Sequence, residues 1–336
     1  MRIRFWPLGV MSRLTMEVHH SFFEGRVVPS SARKSASPRI WSRRMAAAVI
    51  VATSTLLWTG CSVTVAPSDS QPQASSTATP VPVAEVTAMS PTSGSVTGGT
   101  TLTLTGTGLA DVTDVTIGGI PATDVTVTED GTVTAVAPAA LHYQPADAAV
   151  VVSSGDKVVE QSEPLNYAYS VITGVDAQMQ YALKHWNDYN SNTWGNLNPV
   201  GGDCANFVSQ TLIQRGWTQN ETWFNKNAAA TLSDWSPAWG YVPAMDNWLA
   251  SDDSLGLTKL TLDQRDQVKL GDIAIFDWNL NDIPDHVMLV SSVKVVDGVT
   301  KITFASHNRD GDYRDLDDVL TIDHPGGNAW FWSIPA

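Results

Sequence analysis

Cys204 stands in the run Gly201-Gly202-Asp203-Cys204-Ala205-Asn206-Phe207-Val208-Ser209-Gln210 and is one of two cysteines among 336 residues. Asp203 before it suits a helix N-cap and Gly216 after Arg215 suits a helix stop, so the spacing predicts a helix over 204–215 that opens on the thiol. At that position the helix macrodipole and unpaired backbone N–H groups favour thiolate, and the same N–H groups can hold an oxyanion during acyl transfer. A thiol nucleophile needs a base, and His286 opens a strand that is otherwise apolar, His286-Val-Met-Leu-Val290. A third polar group must fix the imidazole. The following strand returns antiparallel and ends on Ser306-His307-Asn308 beside His286. Strand alternation places Ile302, Phe304, Ser306 and Asn308 on one face and Thr303, Ala305 and His307 on the other. The apolar pair Ile302 and Phe304 marks the expected helix-bearing face, which favours Asn308 as third member with His307 as the alternative. Asp203 is a candidate helper as well as a cap. Asn206, one turn into the helix, reads as a structural hydrogen bonder.

Stepping out from these residues, Val175, Met179, Ala182, Leu183 and Trp186 fall at helical spacing with Asp176 near the start. Strands are expected over 272–276, 286–290, 301–306 and 329–334. Helices ahead of an antiparallel meander give an α+β order. Trp223, Trp235, Trp239 and Trp248 lie between the thiol helix and the His286 strand, and ten of the 13 tryptophans follow residue 173. They are either core or the walls of a substrate cleft, where flat aromatic faces suit sugars and peptides.

No cofactor or metal is expected. The sequence has no His-Glu-x-x-His and no paired-cysteine zinc spacing. Asp277-x-Asn279-x-Asn281 and Asn308-x-Asp310-x-Asp312 lack the glycine and glutamate of a calcium loop. Gly-x-Ser-x-Gly is also missing, which leaves a serine-hydrolase elbow unsupported.

Together Gly201–Gln210, Gly271-Asp272-Ile273, Asp285-His286-Val287 and Ser306-His307-Asn308 resemble the putative amidase domain family of papain-like, NlpC/P60-like cysteine hydrolases. The resemblance covers about residues 175–335. It implies an α+β hydrolase domain with the nucleophile helix packed on an antiparallel sheet, with Cys204 as nucleophile and His286 as general base. It implies amide-bond hydrolysis without naming a substrate.

The segment 85–169 has a different texture. Thr100–Thr105, Val112–Ile117 and Ala148–Ser153 alternate with period two between Gly and Pro punctuation, the pattern of a β-sandwich. Ser90-Pro91-Thr92-Ser93-Gly94-Ser95-Val96-Thr97-Gly98-Gly99-Thr100, Ile117-Gly118-Gly119 and Asn166-Tyr167-Ala168-Tyr169 resemble an IPT/TIG domain, an all-β immunoglobulin-like sandwich. It offers no nucleophile or base, so it is expected to act as a spacer or as a binding module for a cell-surface ligand.

Residues 1–60 read as leader and signal peptide, with Arg43-Arg44 before the apolar run Met45–Trp58. The run is too short to span a bilayer comfortably, which takes about 20 residues. Leu57-Trp58-Thr59-Gly60-Cys61 resembles a lipobox, which makes Cys61 the expected lipidation site. Residues 61–84 are rich in Ser, Thr, Pro, Gln and Ala, a composition that suits a flexible linker. The domains are therefore 1–60, 61–84, 85–169 and 170–336. Residues 1–60 hold nine of the 20 Lys and Arg but two of the 34 Asp and Glu, so the remainder is strongly acidic and unsuited to nucleic acid. These features predict an exported cysteine hydrolase, held at the outer face of the cytoplasmic membrane by a lipid anchor alone, or else secreted. Its expected substrate is cell-wall peptide or another extracellular peptide. The rival reading is a non-catalytic surface binding or adhesion protein that uses its sandwich.

Overall fold

The computed structural model describes residues 83–335. The leader, Cys61 and nearly all of the 61–84 linker lie outside the described residues. Over 85–170 the chain forms two sheets. One runs, in spatial order, Glu160–Gln161, Glu85–Ser90, Thr101–Thr107, Val133–Val136 and Thr123–Val127. The other runs Ser93–Ser95, Asn166–Ser170, Ala146–Ser154, Asp114–Ile117 and Ile120–Pro121. Alternation separates the faces. Leu102, Leu104 and Val133 from the first sheet and Ile117, Val152 and Tyr167 from the second are buried in one cluster, while Thr101 and Thr105 are exposed.

A helix over Gly174–His185 follows, started by a reciprocal capping box between Thr173 and Asp176. Asp176 does more than cap. Its Oδ2 accepts the N–H of Ile172 at 3.0 Å and of Thr173 at 2.9 Å. Its Oδ1 accepts the hydroxyls of Ser95 at 2.5 Å and Thr97 at 2.7 Å, both from the sandwich. Nearby, the buried Tyr143 hydroxyl of the sandwich donates to the Ser291 carbonyl at 2.7 Å. The sandwich and the segment behind it thus share polar ties as well as a core.

The second part of the fold is a mixed helix and strand domain. Its sheet runs Thr258–Thr261, Asn328–Ser333, Ile273–Asp277, His286–Val296, Val299–Ser306 and Gly311–Asp315, with every pairing antiparallel. The His286 strand extends to Val296, past the expected end at 290. Its distal half is an exposed hairpin with Val299–Ser306, so the inward apolar pattern stops before the strand does.

The helix over Cys204–Arg215 ends where expected, at Gly216 with φ +107°. It packs on the sheet face carrying Ile273, Ile275, Val287, Leu289 and Ala305. That corrects the sequence expectation, which put the helix on the Ile302 and Phe304 face. Ile302 and Phe304 instead pack with Met288, Val290, Leu316 and Val319. Both faces of the sheet are covered, so large apolar residues on one face did not identify the helix side.

Asp176 gives a test of the tie between the two parts. Burial raises its carboxyl pKa, but hydrogen bonds from Ser95, Thr97, Ile172 and Thr173 outweigh that and hold it below the usual carboxylate value. A carboxyl lowered in the native state stabilises above its unfolded pKa, and the contribution fades as pH falls through the native value. Asp176→Ala should cost about 3 kcal/mol in urea denaturation at neutral pH, since two hydroxyls and three N–H groups lose their acceptor. The gap from wild type should begin to narrow below about pH 4.

Candidate active site

The run around Cys204 is pinned residue by residue. Asp203 is fully buried, and its carboxylate accepts from the Leu197 N–H at 2.6 Å and from Asn206 Nδ2 at 2.8 Å. Its other oxygen meets His307 Nδ1 at 2.6 Å. Asn206 Oδ1 accepts from Trp239 Nε1 at 2.7 Å, and Ser209 Oγ accepts from Trp223 Nε1 at 3.0 Å. Gln210 Oε1 accepts from the Tyr181 hydroxyl at 2.6 Å. The polar spacing Asp203, Asn206, Ser209 and Gln210 is therefore largely the fastening of one helix to its neighbours.

Two sequence expectations change here. Asp203 occupies the N-cap position, but its side chain makes no cap hydrogen bond. The cap comes from Asn308, whose Oδ1 accepts from the backbone N–H of Cys204 at 2.7 Å and also from that of Asp203. Asn308 sits at φ +60°, just past the end of its strand, and its Nδ2 reaches Asn198. Gly202, at φ +131°, passes beside it, and a Cβ there would lie 3.2 Å from Asn308 Oδ1. The N–H of Cys204, expected to be open to an oxyanion, is thus engaged by the Asn308 amide.

His307 is buried on the helix side, stacked between Tyr189 at 3.7 Å and Phe207 at 4.1 Å between ring centroids. Its Nδ1 faces the Asp203 carboxylate, and its Nε2 faces the His185 carbonyl at 2.8 Å. Both ring nitrogens are engaged by these partners, so neither is turned toward Cys204 or His286. Neither His307 nor Asn308 hydrogen-bonds His286. Of the two, Asn308 shares a pocket with it.

The thiol itself is buried, with the N–H groups of Val287 and Ala205 facing the sulfur. Burial pushes the Cys204 thiol up to about 11, further raised by the Asp203 charge and only partly offset by those N–H groups. The helix-end field is worth about 1 kcal/mol, and burying the anion costs more, which reverses the expected thiolate. His286 precedes Val287 on the strand, so its ring points to the opposite sheet face, with Phe276 and Trp278, and does not line the Cys204 cavity. Burial, then the fields of Arg314, His324 and Arg309, push its ring down to about 3. Its Nε2 is buried with no partner. At rest the pair is neutral thiol and neutral imidazole.

A cavity of about 360 Å³ opens on Cys204, lined among others by Gly201, Gly202, Trp235, Tyr241 and Pro284. Of the tryptophans considered as cleft walls, Trp235 lies there. Trp223 and Trp239 do not. They are fully buried, 4.9 Å apart between centroids, and Trp223 stacks on Trp248 at 5.1 Å. Their indole N–H groups are held by Ser209 and Asn206, so they form the packing behind the thiol helix. A second hollow of about 220 Å³ is lined by Trp278, His286, Asn308, Arg309, Arg314 and His324. Sequence reasoning had no signal for it, because Arg309 and Arg314, at and before the edge strand Gly311–Asp315, meet His286 and His324 only through the packing of the sheet and the turn that follows that strand.

Residues 174–332 match the family described as Putative amidase domain, and residues 84–169 match the IPT/TIG domain. The thiol site lies within the residues that match the putative amidase domain. A solved structure described as the plexin A4 full extracellular region aligns at 23% identity over 26% of this chain and 8% of that chain, with a TM-score of 0.21. The chain thus spans less than a tenth of that molecule's length. No curated protein matches it.

Two measurements check the geometry of the amidase-family site. Asn308→Ala should lower stability by about 1–2 kcal/mol in urea denaturation, because two buried helix-end donors lose their cap. Iodoacetamide labelling of Cys204, read on its own peptide by mass spectrometry, should quicken about tenfold per pH unit from about pH 7 to about pH 10, with no plateau in that range.

Proposed function

We propose that the amidase-family domain is a cysteine hydrolase of amide bonds with a papain-like, NlpC/P60-like arrangement. The observation that carries this is the thiol of Cys204 at the start of a helix, open to a cavity and set against the backbone of the His286 strand. In this reading Cys204 Sγ attacks the carbonyl carbon of a substrate amide. His286 is the proposed acceptor of its proton, and the ring must first turn toward the thiol, because at rest it shares the sheet face of Met288 and lines the other hollow. The proton then goes to the departing amine. The acyl group remains on sulfur as a thioester until water releases the acid. Trp235 and Tyr241 offer aromatic walls, and Gly201 and Gly202 a floor of exposed backbone, to an extended peptide. Cell-wall peptide or another extracellular peptide is the proposed substrate, with the protein exported and anchored through lipidated Cys61. The IPT/TIG sandwich would carry the domain outward or hold a surface ligand.

The neutral resting pair favours a second reading, a surface binding protein without turnover. The experiment that separates them is amide hydrolysis on cell-wall peptide fragments and a peptide library. Wild type should release product and show a thioester adduct on Cys204 by mass spectrometry. Cys204→Ala should abolish both, and His286→Ala should lower turnover at least about 100-fold. Turnover that survives in Cys204→Ala overturns the thiol mechanism, and no turnover of any peptide leaves the binding reading. Separately, Cys61→Ser should move the protein from the membrane fraction to the soluble fraction with hydrolysis intact. An unchanged membrane fraction excludes the anchor.

A further inference from the structure

The hollow on the far side of His286 is not explained by acyl transfer at Cys204. His286 is 7% exposed, and its Nε2 is a buried polar atom with no hydrogen-bond partner. Such orphans are rare, and each asks for a missing partner. Around the hollow stand the guanidinium groups of Arg309 and Arg314, the amide of Asn308, and His324 stacked on Trp278 at 3.9 Å between centroids. Arg309 Nη2 donates to Asp323 at 2.6 Å, and Arg314 Nη2 donates to the same carboxylate at 3.1 Å. Arg314 Nη1 has only long contacts, to Met288 Sδ at 3.6 Å, Ser306 Oγ at 3.5 Å and the Arg309 carbonyl at 3.4 Å. His324 Nε2 lies 3.5 Å from Arg309 Nη1, the acceptor side of a neutral ring.

We propose that this hollow is a binding site for a carboxylate group, which accepts a hydrogen bond from His286 Nε2–H and pairs with Arg314 and Arg309. The charge count selects the class. Two guanidinium groups face one carboxylate, Asp323, so one positive charge is left over. The exposed Asp285, next to His286 and bonded to the Trp278 N–H at 2.7 Å, trims it further. A monoanion matches that excess, whereas a phosphate dianion would meet two acidic side chains. Planar guanidinium groups also suit the planar carboxylate.

The position gives the site a consequence. Asn308 lines the hollow and caps the N–H of Cys204, so the bound group lies against the start of the thiol helix. If the thiol hydrolyses amides as proposed above, the carboxylate belongs to the substrate, a peptide with a free carboxylate. It would act as the acceptor that neither Asn308 nor His307 provides to His286. A negative charge at Nε2 opposes the burial and the arginine fields that push the His286 ring down, and leaves Nδ1 as the basic nitrogen. The charged groups facing the ring are Arg309, Arg314, His324, Asp323 and Asp285.

The test reads binding in the full chain at rest, so it is independent of whether hydrolysis occurs. Imidazole nitrogen resonances of His286 are followed by NMR during titration with N-acetylalanine, its neutral amide N-acetylalaninamide, or inorganic phosphate. N-acetylalanine should give a saturable shift at His286 Nε2 and the amide none. Arg314→Gln should weaken the binding about tenfold or more, and Arg309→Gln should weaken it less. Asp323→Asn removes the competing carboxylate and should tighten it several-fold, a gain that a damaged fold would not produce. An equal response to the amide, tighter binding of phosphate, or unchanged affinity in both Arg314→Gln and Asp323→Asn would each overturn the assignment.

Discussion

The carboxylate of Asp203 ties together three pieces of chain that otherwise have no reason to meet. It takes the Leu197 N–H from the preceding loop, Asn206 from the helix, and His307 from the end of a distant strand, and it does so with no access to water. A buried charge is tolerated only when its oxygens are filled, and here they are. Removing one member of such a pair costs about 3–5 kcal/mol because the other is left uncompensated. The depth of the Cys204 sulfur follows from the same interaction. With His307 drawn onto the helix, Asn308 is carried over the helix end, and the chain closes around the thiol.

The enclosure sets the electrostatics. Sulfur and imidazole are each held in the form that carries no charge, by loss of water more than by neighbouring groups. The proposed mechanism has to create an ion pair between them against that background. Water exclusion that suppresses the resting thiolate also strengthens any hydrogen bond made once a substrate has arrived. A thiol of this kind reacts slowly with casual oxidants, because the thiolate is the nucleophile that such oxidation requires.

Much of this arrangement was legible in the chain, and the failures are instructive. Gly216 ends the helix because a left-handed residue is needed there, and that signal is local, whereas Asp203 stands at the start without capping it, its carboxylate being taken up by Leu197, Asn206 and His307. The role of Asn308 as cap was hidden because it lies 104 residues from the donor it serves. Ile302 and Phe304 suggest the helix-bearing face by their size, yet they lie on the opposite one. Those residues are large because Leu316 and Val319 cover them, while the smaller Ala305 leaves room for the helix. Trp223 and Trp239 looked suited to a cleft, but an indole with its N–H satisfied by Ser209 or Asn206 can be buried whole. The papain-like reading came from motif order, whereas the cationic hollow needed three residues that sequence leaves scattered.

The junction at Asp176 bears on how such a chain can change through recombination. Sandwich modules are often exchanged between proteins as beads, cut at the linker and joined to new neighbours. Here a cut near residue 172 would leave Ser95 and Thr97 without the carboxylate they share and Tyr143 without its carbonyl. A foreign sandwich placed in front would bring none of these groups, and the first helix would begin beside a mismatched surface. The two parts are thus separate as folds but matched as surfaces, and are constrained to be inherited together.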